Sequence, residues 1–294
     1  MTLNILISQY KETEQDIKPM LDSIAIQQGI DLNDIKVIIA NDGSDVIISD
    51  EFLESYSYEI DYYLVDHRGM SGIRNFLLDR ATADYIMFCD ADDMFYNVTA
   101  LYTILSIIKQ GEFDCLFPNF IVENKNNKGK FTYHQFFECQ VHGKVLRRQY
   151  LLDKNIRWKD DLLTHDSRYF FGLCEACTTP DRIKRIVQPY YLWKYNEKST
   201  THSVDNHFLD KYDYFAYSAA ALVDELIKRG NLNAAVAAAT SFIYLTYFMY
   251  NSEPWKRKDK QEVVQKAIKD FKLFYDKYSS LMELNSEAEL MKII

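Results

Sequence analysis

Three short apolar runs in the first third of the chain, Leu3–Ser8, Ile35–Ala40 and Asp84–Cys89, each stop abruptly at polar side chains. Runs of this length without polar alternation predict strands buried on both faces. Between them lie stretches with helical spacing, Gln15–Gln28 ahead of Gly29 and Ser71–Arg80, and a third, Thr99–Gln110, ends at the natural C-cap Gly111. Tyr62–Val65 adds a short strand. This alternation predicts an α/β fold, a mostly parallel sheet with helices on both faces. Ligands of such sheets bind beyond the carboxyl ends of the strands. Ser8–Tyr10, the turn Asn41-Asp42-Gly43-Ser44, and Asp90–Asp93 all fall at those ends, so three separated segments are expected to meet in one site.

The pattern then changes twice. From Phe113 it becomes β and irregular, with the polar stretch 124–130 as a hairpin tip and Arg182–Val187 as a later strand. Past about residue 205, Phe208, Tyr212, Phe215, Ala219, Leu222 and Leu226 recur at helical spacing, and the series Val264, Ala267, Ile268, Phe271, Tyr275 and Tyr278 repeats it. Two units follow: an α/β domain over 1–205 and an all-helical appendage over 206–294. Ala234–Tyr250 carries no charge. It contains Thr240, Ser241 and Thr246 and is short for a membrane span, so it reads as a buried helix, serving either an intrachain or a homo-oligomer core.

Composition narrows the partners. The 294 residues carry a formal charge of −9, which gives no long-range attraction to nucleic acid or anionic lipid. Neither stable nucleic-acid binding nor membrane contact is expected. The small basic cluster Trp255-Lys256-Arg257-Lys258 reads as a solvated helix start. Five scattered cysteines form no disulfide framework, and the N-terminus has no basic leader, so a cytoplasmic, reducing setting is expected. Cys174 and Cys177 form a single CxxC with no second pair, and are expected to pack as small hydrophobes rather than to hold zinc.

The sharpest chemical signal is the run Tyr85-Ile86-Met87-Phe88-Cys89 ending in Asp90, Asp92 and Asp93. Carboxylates crowded at a strand tip repel one another, and burying them unpaired is costly. A hard divalent cation resolves the conflict by taking oxygen ligands. Asp90 and Asp92 fall on one side of an extended chain, because side chains repeat every two residues.

Five segments, in order, resemble those of the family 2 glycosyltransferases with the GT-A fold. They are ILISQYKE (5–12), VIIANDGSD (37–45), DHRGMSGIRNFLLDRATADYIMFCDADDMF (66–95), GKVLRRQYLLDKNIRWKDDLLTHDSRYF (143–170) and PYYLWKYNEKSTTHS (189–203). An acidic pair alone is a weak signal; the ordered set is a strong one. There are departures. Ser8 and Lys11 replace the first-strand Pro and Asn, Asn41 replaces the first Asp of the DDGS form, and Thr164-His165-Asp166 stands where the family has His-Glu-Asp.

The resemblance implies a GT-A, Rossmann-like sheet and a metal-dependent, inverting transfer of a hexose or N-acetylhexosamine from a UDP-sugar to an acceptor hydroxyl. Asp90, Asp92 and His202 would hold Mn2+ or Mg2+, with Asp93 capping or orienting. Ser8, Tyr10, Asp42, Arg74, Asp90, Ala91, Asp92 and Lys198 would contact the nucleotide-sugar. Among these, Asp42 accepts the uracil imino N–H and Tyr10 offers a ring to the base. Asp166 matches the position of the base that deprotonates the acceptor, with Asp160, Asp161 and His165 as neighbouring competitors. Trp158 and Trp193 flank the expected site in sequence. The acceptor class is left open among glycan, polymer, protein and modified nucleobase. The alternative is a nucleotide-sugar-binding scaffold that has lost turnover, motivated by the departures.

Overall fold

The computed structural model describes residues 2–124, 129–134, 140–160, 166–196, 212–250 and 261–281. Its centre is a seven-stranded sheet built from β1 (Leu3–Gln9), β2 (Ile35–Asp42), β3 (Ile60–Val65), β4 (Tyr85–Asp90), β6 (Cys115–Pro118), β9 (Val145–Arg147) and β10 (Ile183–Ile186). The order is β10-β6-β9-β4-β1-β2-β3. β1 pairs in parallel with both β2 and β4, β2 with β3, and β10 with β6; β9 alone runs antiparallel to its neighbours. The order 3-2-1-4 places a switch point at β1, where the chain leaves one side of the sheet for the other. That is where an open α/β sheet forms its ligand crevice.

The helices α1 (Glu14–Ala25), α2 (Asp50–Glu54), α3 (Gly69–Arg80) and α4 (Ala100–Lys109) connect these strands. The expected alternation is present, with ends displaced by up to three residues, the largest shift being the end of α1 at Ala25 rather than Gln28. α1 opens on a capping box, Thr13 N–H donating to Asp16 Oδ2 at 2.8 Å while the Thr13 hydroxyl accepts from the Asp16 amide. The short helices α2 and α5 (Arg148–Asp153) carry too few turns to show a period in sequence.

Alternation along the strands splits the core in two. Leu6, Ile38, Ala40, Ile86 and Phe88 face one layer with α3; Ile5, Ile7, Val37, Ile39, Met87 and Cys89 face the other with α1 and α4. All are buried to 2 % exposure or less, as expected of strands covered on both faces. A second sheet, in the order β5-β11-β7-β8, joins β5 (Met94–Phe95), β7 (Phe120–Glu123), β8 (Phe131–His134) and β11 (Tyr191–Trp193). β7 and β8 form the expected hairpin, closed by Asn124 N–H donating to the Lys130 carbonyl at 2.9 Å. β11 returns antiparallel to β5, with Tyr191 opposite Phe95. This strand brings residues 191–196 back beside the acidic tip of β4.

α6 (Asp166–Ala176) covers the first core layer, and α7 (Tyr212–Lys228), α8 (Leu232–Tyr250) and α9 (Gln261–Tyr278) pack outside it. The core is continuous from Phe88 through Phe170 to Phe242 and Phe271. Gly172 permits the approach, since a Cβ there would lie 2.6 Å from Leu222 Cδ2. The boundary expected at 205/206 lies outside the described residues. The uncharged helix α8 buries Ala235, Ala239, Phe242, Ile243 and Thr246. No helix among the described residues is long and apolar enough to cross a membrane. Cys89, Cys115, Cys174 and Cys177 are free thiols, and burial pushes the Cys174 thiol up from its ordinary range.

Candidate active site

The three segments expected at the carboxyl ends of the strands do meet. Ser8 on β1 lies opposite Ala40 of β2 and Asp90 of β4. The chain leaves β1 through Tyr10 and Lys11, whose amide donates to Ser44 Oγ at 3.1 Å. The β2 turn is held by Asn41, whose Oδ1 accepts from the Ser44 amide at 2.7 Å. Gly43 makes the turn possible: it has φ +72° and a Cβ there would sit 2.6 Å from the His67 nitrogen.

Asp42 is buried at 4 % exposure. Its two oxygens accept the amides of Arg68 at 2.6 Å and Gly69 at 3.0 Å, which begin α3. A carboxylate on the neighbouring strand thus caps a helix that has no side-chain cap of its own. His67 Nδ1 lies 3.0 Å from Asp42 Oδ2, and the His67 ring meets Tyr10 at 5.2 Å. Tyr10 is 45 % exposed, with Lys11 Nζ 4.9 Å from its ring centre. Beside it opens a cleft of about 520 Å3 lined by Asn41, Gly43, Ser44, Ile47, Leu64, Val65, Asp66 and Arg68.

The other half of the site is the tip of β4. Arg74, from α3, is 5 % exposed and reaches Asp90 Oδ1 through Nη2 at 3.3 Å. Its guanidinium lies 4.5 Å from the Trp158 ring centre, and Trp158 is stacked on Phe170 at 4.1 Å. Trp158 is therefore a core pillar that holds Arg74 in place, at 2 % exposure, and presents no face to a sugar. Trp193 stacks on His142 at 4.8 Å. Ala91 is buried at 3 % exposure. Asp92 Oδ2 accepts from Asn196 Nδ2 at 2.8 Å. Asp93 is fully buried; the Tyr191 hydroxyl donates to its Oδ2 at 2.8 Å and the Lys194 amide to its Oδ1 at 3.0 Å. Burial, and then the charges of Asp90 and Asp92, push its carboxyl well above the ordinary range.

Behind this turn lies His142. Burial, and then the charges of Lys144, Arg74 and His134, lower its pKa to about 3, so the ring is neutral. Its Nδ1 is buried without a hydrogen-bond partner, 3.6 Å from Asp93 Oδ2. One ligand atom each from Asp90, Asp93 and His142 lies within 4.8 Å of the others. An orphaned ring nitrogen facing carboxylates suits a bound cation, so the donor set fits the divalent ion that the strand tip calls for. The expected trio differed, naming Asp92 and His202 with Asp90. Asp92 is turned toward Asn196, and His202, like Lys198, lies outside the described residues.

Glu12 completes the site's acidic wall. Burial, countered by the Tyr10 amide and its own, then aided by Asp92 and Asp90, raises its pKa to about 7. Asp166 is the first residue of α6; its side chain lies outside the described residues, as do Asp161 and His165. Asp160 approaches α3, its Oδ1 lying 3.9 Å from where a Cβ on Gly72 would be. His142, Tyr191, Asn196 and Glu12 were missed as site residues. Only Glu12, Tyr191 and Asn196 lay within recognisable segments, and His142 carried no signal at all.

Residues 4–176 match the model of glycosyl transferase family 2, over half of the chain. The chain belongs to that family. A curated relative is the Campylobacter jejuni GalNAc(5)-diNAcBac-PP-undecaprenol beta-1,3-glucosyltransferase, 27 % identical over 183 residues, which are 58 % of this chain and 54 % of the relative. This family 2 chain therefore spans about half the length of that relative. Among solved structures, S. aureus TarS 1–349 in complex with UDP-GlcNAc has a TM-score of 0.69 at 17 % identity, covering 100 % of this chain and 87 % of TarS 1–349. The mannosyltransferase PcManGT from Pyrobaculum calidifontis, in complex with GDP-Man and Mn2+, has a TM-score of 0.51 at 12 % identity, covering 99 % and 85 %. At these identities the likeness is one of fold, and the fold is the GT-A arrangement.

Proposed function

We propose that this protein is a metal-dependent, inverting glycosyltransferase that moves a sugar from a UDP-sugar to a hydroxyl of a saccharide acceptor, with residues 1–205 as the catalytic domain and 206–294 as helical support. One observation carries the reading: three carboxylates crowd the β4 tip at the switch point, beside Arg74, in a sheet that also opens a cleft at the ends of β2 and β3. Asp90 and Asp92 would hold Mn2+ or Mg2+, with Asp93, His142 and His202 as further donors. Bound there, the cation supplies neutralisation of the negative charge that gathers on the departing diphosphate.

The chain's own residues do the rest. Tyr10 stacks on the base, and Asp42 supplies the uracil contact while capping α3. Asp42 Oδ1, which accepts from the Arg68 amide, has a second lone pair for that bond. Arg74, fixed between Asp90 and Trp158, and Lys198 offer positive charge to the phosphates, with Ser8 and Ala91 lining the crevice floor. Asp166, at the N-terminus of α6, takes the proton of the acceptor hydroxyl as that oxygen attacks the anomeric carbon from the side opposite the leaving group. The saccharide acceptor follows from the lipid-linked glycan named for the Campylobacter relative, and UDP from the ligand of TarS.

Product analysis with a panel of UDP-sugars, saccharide acceptors and Mn2+ tests this. Transfer should occur in the parent protein and vanish in Asp92→Ala. Asp166→Asn should lose activity by orders of magnitude while UDP binding survives. Normal turnover in Asp166→Asn would remove it as the base, and UDP-sugar binding without any product would favour the inactive scaffold.

A further inference from the structure

We propose that Tyr191 is the positioning residue of the acidic turn, its hydroxyl tying the Asp90 backbone and the Asp93 carboxylate into the one arrangement that presents Asp90 and Asp92 to a cation. This rests on the reading of those two aspartates given above. The hydroxyl accepts the Asp90 amide at 3.1 Å and donates to Asp93 Oδ2 at 2.8 Å. One oxygen thus bonds both ends of a four-residue turn, across which Asp93 N–H also donates to the Asp90 carbonyl at a long 3.3 Å. Three carboxylates in that turn repel one another and drive it to splay apart. A group fixed independently of the turn is needed to oppose this.

Tyr191 is so fixed. Its ring is fully buried, edge-on to Phe95 at 6.4 Å and stacked with His142 at 5.5 Å, on a strand whose register with β5 and β7 is set by backbone pairing. The same strand continues to the Lys194 amide on Asp93 Oδ1 and the Asn196 amide on Asp92 Oδ2. Tyr191 is the member of this set that reaches the backbone of the turn. A pre-organised turn lowers the cost of gathering charges on an ion, so the hydroxyl acts on cation affinity through Asp90 and Asp93, without touching the ion.

Tyr191→Phe removes the oxygen and keeps the ring. Calorimetry should show UDP binding in the presence of Mn2+ weakened by about tenfold or more, while UDP binding in EDTA stays within about twofold. Hydrogen exchange of the peptide covering 88–95 should quicken. Tyr150→Phe removes another buried hydroxyl, one that donates to the Cys174 carbonyl at 2.8 Å; it should lower the melting temperature and move neither readout. The idea is overturned if Tyr191→Phe leaves Mn2+-dependent affinity unchanged, or weakens binding equally in EDTA. If the parent protein binds no UDP with Mn2+, the functional reading fails, and exchange alone then decides the tie. Should Tyr191→Phe not fold, the parent protein still tests it: an Asp90 amide exchanging as fast as an exposed one would refute the bond.

Discussion

Two aspartates at opposite ends of the strands that flank β9, Asp93 after β4 and Asp114 before β6, are both buried yet behave oppositely. Asp114 accepts from Arg147 Nε at 2.9 Å, from Arg182 Nε at 3.2 Å and Nη2 at 3.0 Å, and from the Thr178 hydroxyl. Burial pushes its carboxyl up, but the bonds from Arg182, Thr178 and Arg147 outweigh this and hold it below the ordinary range. Asp93 has one hydroxyl and one amide, a neutral histidine at 3.6 Å, and two more carboxylates nearby. Its carboxyl is driven the other way. A buried acid with its counter-charge built in joins strands; one without it marks a place where positive charge is to arrive.

The comparison breaks most visibly if a crowded acid is removed. Asp90→Asn should lower transfer by at least about a hundredfold, since it takes a ligand from the cation. It relieves repulsion but also leaves the buried Arg74 without its carboxylate partner, so the melting temperature should move little; a loss as large as that of Asp114→Asn would mean that the β4 tip is structural like Asp114. The next effect is on stability. Asp114→Asn leaves two arginines facing a neutral group and should cost about 3 kcal/mol in urea denaturation, with UDP affinity unchanged. That figure already allows for the partial exposure of Arg147 and Arg182. Somewhat smaller is the gain from ligand: Mn2+ with UDP at about a hundred times Kd should raise stability by about 2.7 kcal/mol, reversed by EDTA and absent in Asp92→Ala.

The smallest effects are in pH dependence, and the two kinds of acid give opposite signs. Asp114 has a depressed folded pKa, so its contribution is present above the ordinary carboxylate pKa and lost as pH falls through the folded value. Glu12 has a folded pKa of about 7 against an ordinary 4.5. Its contribution is full below 4.5 and lost as pH rises through about 7. Asp114→Asn should flatten the acid limb of a stability profile, and Glu12→Gln the slope between the two Glu12 values. A parent-like slope in either variant would reject the assignment.

Much of this was legible beforehand because strands buried on both faces must be apolar throughout, and their ends must not be. Leu3–Ser8, Ile35–Ala40 and Asp84–Cys89 were each found within a residue or two, and the β7–β8 hairpin followed from its polar tip. Arg74, which in sequence also reads as a surface arginine of a helix, is a buried partner of Asp90 with its guanidinium against the Trp158 ring. His142 lay in a stretch with no periodicity and no motif. Tyr191 sat among other aromatics with nothing to distinguish its hydroxyl.

Sequence alone determined the layered α/β architecture, the convergence of three strand ends and the excess of negative charge at one of them, because periodicity and charge are local properties of a chain. Tertiary structure alone decided which donors reach that charge. Tyr191 lies 98 residues from Asp93 and Asn196 lies 104 from Asp92. Hydrogen bonds are made over about 3 Å, and no local pattern encodes which distant side chain the return of β11 brings within that reach.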